Sequence, residues 1–517
     1  MRKQLRLLAI IGVAVLVLGV ALGVLLLTQP EESEESSAVE ESSDTSVELL
    51  KVEREETSSE ESSKEEETAS LVKEAVVTYD GETYTIRQDE NGQLCVKGYE
   101  KLPVGTTNLE SFEEAVTAIT AIQPITGTGN DADYGLDKPT ATAVITYYDG
   151  TKVTLTLGNA APQNVGYYFR ISSVDGIYLV SSDLASQLMQ ASTMYIGTTL
   201  MVDPEVKEDD ENGQAVLRDV TLKGPGVDRE YSYRLVADSD GSEFAYTTYV
   251  LTYPYMRATN SNTLGESILT ATSVYAAAAV VPFPTDAQLE EYGLDTPHIT
   301  ATINTAVQTS TTTEASNEDE EDVTVTSYYN VQPHTFRLSE AKDGMFYVLF
   351  DDVDCIYQIA TTALPWATLS YEDCVTSLMF LKDITTVSKM SFTYNGKTTA
   401  FALTHYPEEE DNEKNLVVTM DGKTIPTDYF RSFYQILMGV ERGGVAPAKP
   451  TGKPVISFDY TDKDTGVTTT IELFEHSASV YIGRFDGGDI FKIRASEVDT
   501  LLRQYQNLLD GKEVLLG

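Results

Sequence analysis

Apolar and polar positions divide the chain into three kinds of text. From Leu7 to Pro30 there is no charged side chain, and Leu, Val, Ile, Ala and Gly dominate. That run fits the roughly 20 residues with which a helix crosses a bilayer. Residues 31–70 are the opposite: almost wholly Glu, Ser and Thr, with 16 acidic against 3 basic residues. Such text has too little apolar surface to offset the entropy of ordering, and it repels itself, so it predicts an extended, disordered tether. Within it, Val47-Glu48-Leu49-Leu50-Lys51-Val52 admits an amphipathic helix as the alternative. From about residue 71 onwards, short β-branched runs alternate between apolar and polar side chains and are broken by Gly, Asp and Asn, which predicts strands and turns.

Those runs recur. Tyr134-Gly135-Leu136-Asp137-Lys138-Pro139 returns as Tyr292-Gly293-Leu294-Asp295-Thr296-Pro297, and Gly452-Lys453-Pro454 introduces similar text a third time. Self-similarity of this kind marks a repeated supersecondary unit. After the first phrase, Ala141–Tyr148, a turn at Asp149-Gly150 and Val153–Leu157 predict a hairpin, followed by strands at Tyr167–Ile171 and Gly176–Val180 and a helix over 183–195. The last strand pair reappears at Gly344–Leu349 with Cys355–Ile359, and at Ser479–Gly483 with Asp489–Ile493. Closing helices are expected at 363–369 and 497–505.

Each unit also has a first half. Val76–Tyr84 and Met390–Thr398 are matching hairpins, with Val220–Leu235 a looser copy. Helices should follow, started by capping boxes at Thr107–Glu110 and Thr263–Glu266 and by Pro426-Thr427-Asp428, and stopped by Pro124, Pro282 and Gly443-Gly444. The stripe Leu109, Phe112, Val116, Ile119 must cover a sheet. The repeated phrase itself reads as a helix-to-strand connector: Gly admits closed-off backbone angles, Pro fixes the entry to the strand, and Leu plugs the core. A binding role for Tyr134 and Tyr292 is the competing reading.

The expected fold class is therefore α+β: one N-terminal transmembrane helix (1–30 with its cytoplasmic tip), a tether (31–70), and three modules of antiparallel sheet plus helices at 71–200, 215–378 and 384–513. A polar linker spans 201–214. An acidic loop, 309–322, is inserted in the second module where the other copies have a short turn.

Charge places these parts. Arg2, Lys3 and Arg6 precede the apolar run and acidic text follows it, so the positive-inside rule keeps the N-terminus in the cytoplasm and everything after residue 30 outside. A cleaved signal peptide is the competitor, but the run is longer than such cores and no small-x-small site follows it. The formal net charge is -45, which disfavours nucleic acid and anionic lipid headgroups as partners. Cys95, Cys355 and Cys374 lack metal spacing, and a Cys355–Cys374 bridge is left open.

Candidate chemistry is thin. Gly396-Lys397-Thr398 and Gly422-Lys423-Thr424 end like phosphate-binding loops but lack the earlier glycine, since Ser391 and Val417 stand there. Ser339-Glu340-Ala341-Lys342 has the Ser-x-x-Lys spacing of penicillin-binding enzymes without its companion motifs. Asp462-Lys463-Asp464-Thr465-Gly466 has a calcium-loop flavour with the glycine misplaced and Leu473 where the bidentate acid belongs. His298, His334, His405 and His476 show no zinc spacing. The 30 tyrosines and lone Trp366 fit sheet packing better than ligand platforms. No catalytic, cofactor-binding or metal-binding residue is assigned, no cofactor is expected, and the chain is not expected to be an enzyme.

An N-terminal span, an acidic tether, and repeated Tyr-Gly-Leu-Asp-x-Pro followed by a hairpin, a Tyr-Tyr strand and an Ile-Tyr strand resemble the bacterial domain of unknown function 4340 family, most closely over 75–195. The third module departs from the pattern by lacking Tyr and Leu in its opening phrase. The resemblance implies an envelope accessory role, because members often accompany ABC-transport components, and it supplies no catalytic residues. The expectation is thus a single-pass, membrane-anchored extracytoplasmic scaffold that binds an envelope protein, accessory to an ABC-type transport complex. A cell-wall glycan or peptide binding module is the alternative, and a surface hydrolase the third reading.

Overall fold

Hydrogen bonding between strands far apart in the sequence organises the molecule. The computed structural model describes residues 46–53, 70–90, 92–126, 129–237, 240, 244, 246–313, 323–407 and 415–516. The expected membrane span, most of the tether and the loop tip 314–322 lie outside the described residues. Among the described residues no helix is long and apolar enough to cross a membrane.

Three large antiparallel sheets share one strand order. In the first, from edge to edge, the strands are Leu94–Val96, Glu82–Gln88, Val72–Tyr79, Ala141–Tyr147, Lys152–Ala160, Tyr167–Ile171, Tyr178–Val180 and Gln123–Pro124. The second repeats this around Gln214–Lys223 and Ile299–Thr313 and adds an edge strand, Arg257–Ala258. The third repeats it around Val387–Tyr394 and Ile456–Asp462 and adds Lys423–Ile425 at the same edge as the second. Its last edge position is taken by a single bridge, Val445 to Phe491.

At the centre of each sheet the first strand of the first half pairs with the first strand of the second half. Tyr79 faces Ala141, Lys223 faces Thr300, and Tyr394 faces Ile456. Each of these seams carries one register shift, at Val72/Glu74, Leu217/Asp219 and Val387/Lys389. A bulge there bends and twists the strand, so the same device shapes all three sheets. The outer faces repeat a hydroxyl pair as well: Thr78 with Thr83 at 3.0 Å, Thr221 with Ser232 at 2.8 Å, and Thr393 with Thr398 at 2.8 Å.

The other face is covered by helices. In the first module α1 (Thr106–Thr117) buries Leu109, Phe112 and Val116 and packs beside α2 (Ser182–Leu188). In the third, α3 (Thr427–Met438) buries Phe430, Phe433, Tyr434 and Leu437 beside α4 (Ala495–Leu509), which buries Val498, Leu501, Tyr505 and Leu508. In the second module both helices shrink, to one turn at Glu266–Leu269 and to 3-10 turns at Thr361–Ala363 and Pro365–Thr368. Pro365 interrupts the latter. Its neighbour Trp366 fills the space instead, fully buried against Phe336 with ring centroids 5.2 Å apart.

The repeated phrase is a joint. Asn130 caps the 3-10 turn Asp131–Tyr134 and Thr285 caps the helix Asp286–Glu291, both with reciprocal capping boxes. Gly135 (φ 72°) and Gly293 (φ 68°) then take the left-handed conformation that ends a helix. Leu136 and Leu294 donate back to the carbonyls of Asp131 and Leu289 and bury their side chains. Tyr134 packs edge-on against Tyr168 at 4.8 Å and Tyr292 against Tyr347 at 4.6 Å. The two tyrosines are therefore part of the joint in both copies.

Several sequence expectations change. The capping boxes at Thr107 and Thr263 do not form: α1 starts at Thr106 after Gly105, whose N–H donates to the Tyr195 carbonyl, and Asn260 organises the turn before Glu266. Ile119 is buried, but on the strand Ala118–Ala121 that ends the helix early. Within the expected tether, Val47–Lys51 is a strand and not an amphipathic helix. Thr309–Thr313 belong to the long strand Ile299–Thr313, so the inserted loop is shorter than 309–322. The linker is bonded to the second module: Asp210 accepts from Thr309 and Tyr329, both at 2.9 Å, and Asp203 accepts from Thr272 and Ser273. All three cysteines are free and buried.

The joint yields a stability expectation. A Cβ on Gly293 meets nothing nearer than Ser339 Cβ at 3.8 Å, so Gly293→Ala should lose only the left-handed backbone cost, about 1–2 kcal/mol. A Cβ on Gly135 would fall within 2.7 Å of the Asn159 side chain, which is exposed and can turn aside, so Gly135→Ala should cost only slightly more. Urea unfolding midpoints of the two variants check the ranking.

Candidate functional site

A cluster of buried charge forms where the second and third sheets meet. Asp489 opens the strand Asp489–Arg494 and is fully buried. Arg257, on the outer strand Arg257–Ala258 of the second sheet, donates from Nη1 to Asp489 Oδ2 at 3.2 Å and from Nη2 to the Met379 carbonyl at 3.2 Å. Arg442, beyond the end of α3, places Nη2 3.5 Å from both Asp489 Oδ2 and Glu372 Oε2. Arg229 lies 4.0 Å from Asp489, 3.9 Å from Glu372 and 4.0 Å from Asp228. Glu372 is held in the one-turn helix Tyr371–Cys374, whose Tyr371 N–H donates to Asp228 at 3.0 Å.

Aromatic rings close the cluster. Arg257 lies 4.1 Å over Phe485, Arg442 4.9 Å over Phe491, and Arg229 4.5 Å over Tyr371. Three guanidinium groups thus face three carboxylates in an apolar wall. Burial brings Arg257 down to about 10, with Asp489 opposing the shift and Arg442 adding to it, so the group stays cationic at neutral pH. Burial pushes the Glu372 carboxyl up, against the pull of Arg442 and with the help of Asp489. Arg442 Nε and Nη2, Glu372 Oε1, Asp489 Oδ1 and Tyr371 OH have no hydrogen-bond partner.

Such an arrangement joins two modules more readily than it turns over a substrate. Each carboxylate is matched by arginine, which does not exchange protons near neutral pH. Its strength lies in orientation: removing one member strands the others as unpaired buried charge.

The residues singled out in the sequence are dispersed. Ser339 is buried between two strands, donating to the Glu340 carbonyl and accepting from Tyr347 N–H at 3.0 Å. Gly396 and Gly422 are left-handed turn residues of hairpins. Asp462 accepts from the Asp464 and Thr465 amides and from buried Lys382 at 2.7 Å, so it is a turn-capping acid. His334 bonds Asp351 at 3.0 Å and His405 bonds the Val387 carbonyl at 2.8 Å. Burial pushes the thiols of Cys355 and Cys374 up to about 12. A shallow groove of about 480 Å³ on the outer face of the third sheet is lined by Met390, Ala400, Ala402 and Asp459, and Asp459 is engaged by Ser391 and Thr470. Among the described residues no group of acids, histidines and cysteines has the arrangement of a metal site.

The buried cluster was not found from the sequence, although one signal existed. Asp489 stands where the other copies have Gly176 and Cys355, and an acid at a position that is otherwise small and apolar stands out.

Two outcomes follow. Asp489→Ala should destabilise the fold by about 3–5 kcal/mol, whereas Arg257→Met combined with Asp489→Leu should cost much less, as read by urea unfolding. Asp462 gives the pH dependence. Burial raises its carboxyl, but hydrogen bonds from Lys382 and Thr465 outweigh that and hold it well below the ordinary value of 3.8. Its contribution is therefore full above pH 3.8 and is lost as pH falls through the lowered folded value. Thermal melts of Asp462→Asn should show less acid sensitivity than wild type below pH 3.8.

Comparison with known proteins gives one match. Neither a curated protein nor a solved structure matches the chain. The model of the family described as domain of unknown function (DUF4340) matches residues 95–297, from the first module's edge strand to the last residue of the second copy of the repeated phrase. Over that stretch the chain is similar to the DUF4340 family.

Proposed function

We propose that the protein is a membrane-anchored extracytoplasmic scaffold that binds an envelope protein, accessory to an ABC-type transport complex. The observation that carries this reading is the threefold repetition of one sheet order, with the second and third copies fastened by the Arg257–Asp489–Arg442 cluster. Repetition presents several similar surfaces on one body, and a buried ionic junction holds two of them at a fixed angle, as a protein that positions others requires. The apolar run Leu7–Pro30 with Arg2, Lys3 and Arg6 before it supplies the anchor and the orientation in this reading. The acidic text of 31–70 supplies the tether, and the three modules at 71–200, 215–378 and 384–513 supply the body.

A glycan- or peptide-gripping module is the second reading, favoured by the exposed rings of Tyr246, Tyr253 and Tyr275. Photo-crosslinking from the outer sheet faces in intact cells separates the two. The scaffold reading expects a transport-complex subunit among the captured membrane proteins. Capture of cell-wall fragments alone, abolished by substituting the three tyrosines, would overturn it.

A further inference from the structure

We propose that residues Glu48–Val52 are a clip that fastens the tether to the first module, so that the reach between membrane and body is set by residues 31–47 and not by the whole of 31–70. The clip is read from the structure alone. Its consequence for distance rests on the membrane-anchored reading above.

The strand Val47–Lys51 forms a two-stranded sheet with Ala118–Ala121, and residues from Glu48 onwards belong to the same compact unit as the receiving strand. Leu49 is 5 % exposed while its neighbours Glu48 and Lys51 are open to solvent. The receiving strand alternates, with Ile119 and Ala121 buried and Ala118 and Thr120 exposed. Beyond the strand, the Val52 N–H donates to the Thr117 carbonyl at 2.9 Å. The platform itself is firmly held. Thr117 Oγ1 donates to the Glu113 carbonyl at the end of α1, and the Ile122 N–H donates to the Leu179 carbonyl in the first sheet.

An acidic, serine-rich segment gains little from ordering, so an apolar island that docks within it is a device with a purpose. Without the clip, the chain from residue 31 to Leu71 could span roughly 140 Å at about 3.4 Å per residue; with it, residues 31–47 span at most roughly 60 Å. Residues 53–70 then begin and end on the same module and add nothing to the reach.

Hydrogen exchange and energy transfer on the full-length protein test this. The amides of Leu49 to Val52 should exchange at least tenfold more slowly in the wild type than in Leu49→Asp, and Val52→Pro, which removes the donor to Thr117, should free the same segment. Retained protection in α1 would show that both variants stay folded. In vesicles of phosphatidylethanolamine and phosphatidylglycerol carrying an acceptor lipid, transfer from a dye on Lys152→Cys should fall by more than half in either variant. Exchange of the wild-type segment at the rate of an unstructured peptide would overturn the clip. Unchanged transfer in variants whose segment is freed would overturn the distance limit. A chain that does not partition into the vesicles would overturn the anchored reading and the distance limit with it, while the exchange measurement still decides the clip.

Discussion

The seam at the centre of each sheet is the constraint on which the rest depends. Val72–Tyr79 must find Ala141–Tyr147, and between them the chain makes a hairpin, a helix and an edge strand before it returns. Closing so long a loop costs entropy that only the finished sheet repays. The intervening helix must therefore lie on one face of the sheet and bury its stripe there, and the joint must release the chain at the strand's first residue. The same demand met three times explains why the joint, the bulge and the hydroxyl pair recur while surface residues do not.

What turns three similar sheets into one body is not repeated. Arg257 stands on the outer strand of the second sheet, a place that Lys423–Ile425 takes in the third, and Asp489 is peculiar to the third. A buried ion pair is weak as a source of net stability because desolvation consumes most of its Coulomb energy. It is strong as a source of selectivity, since any other docking angle leaves Asp489 or Arg257 buried and unpaired. The first and second modules are joined by apolar contacts instead: Leu102, Ile196, Leu200 and Met201 lie in one continuous core with Tyr231, Phe336 and Trp366 of the second module.

Period-two alternation and left-handed glycines were legible in the sequence because they act over a few residues, and the strands they mark are found in all three modules. Helix starts were less legible. Thr263-Leu264-Gly265-Glu266 has the spacing of a capping box, yet Leu264 is drawn fully into the core and Asn260 supplies the turn, a tertiary demand that local spacing does not record. The charge cluster was hidden for the same reason at longer range: Arg257 and Asp489 meet across 232 positions, and only the break in the repeat at Asp489 points to it.

Comparison of the copies shows where specific behaviour resides. Where two copies agree, the residues are consumed by architecture, as Tyr134 on Tyr168 and Tyr292 on Tyr347 demonstrate. The third copy lacks that tyrosine, and α3 and α4 set Phe433 and Tyr505 against Phe392 of the central strand in a dense group of rings. It also brings Arg442 and Asp489 to the junction. The second copy has shrunken helices and the long strands Ile299–Thr313 and Val323–Leu338. Identical parts fix the distances between surfaces; the departures from identity decide which surfaces meet, and by the same logic they are where a partner would distinguish one module from the next.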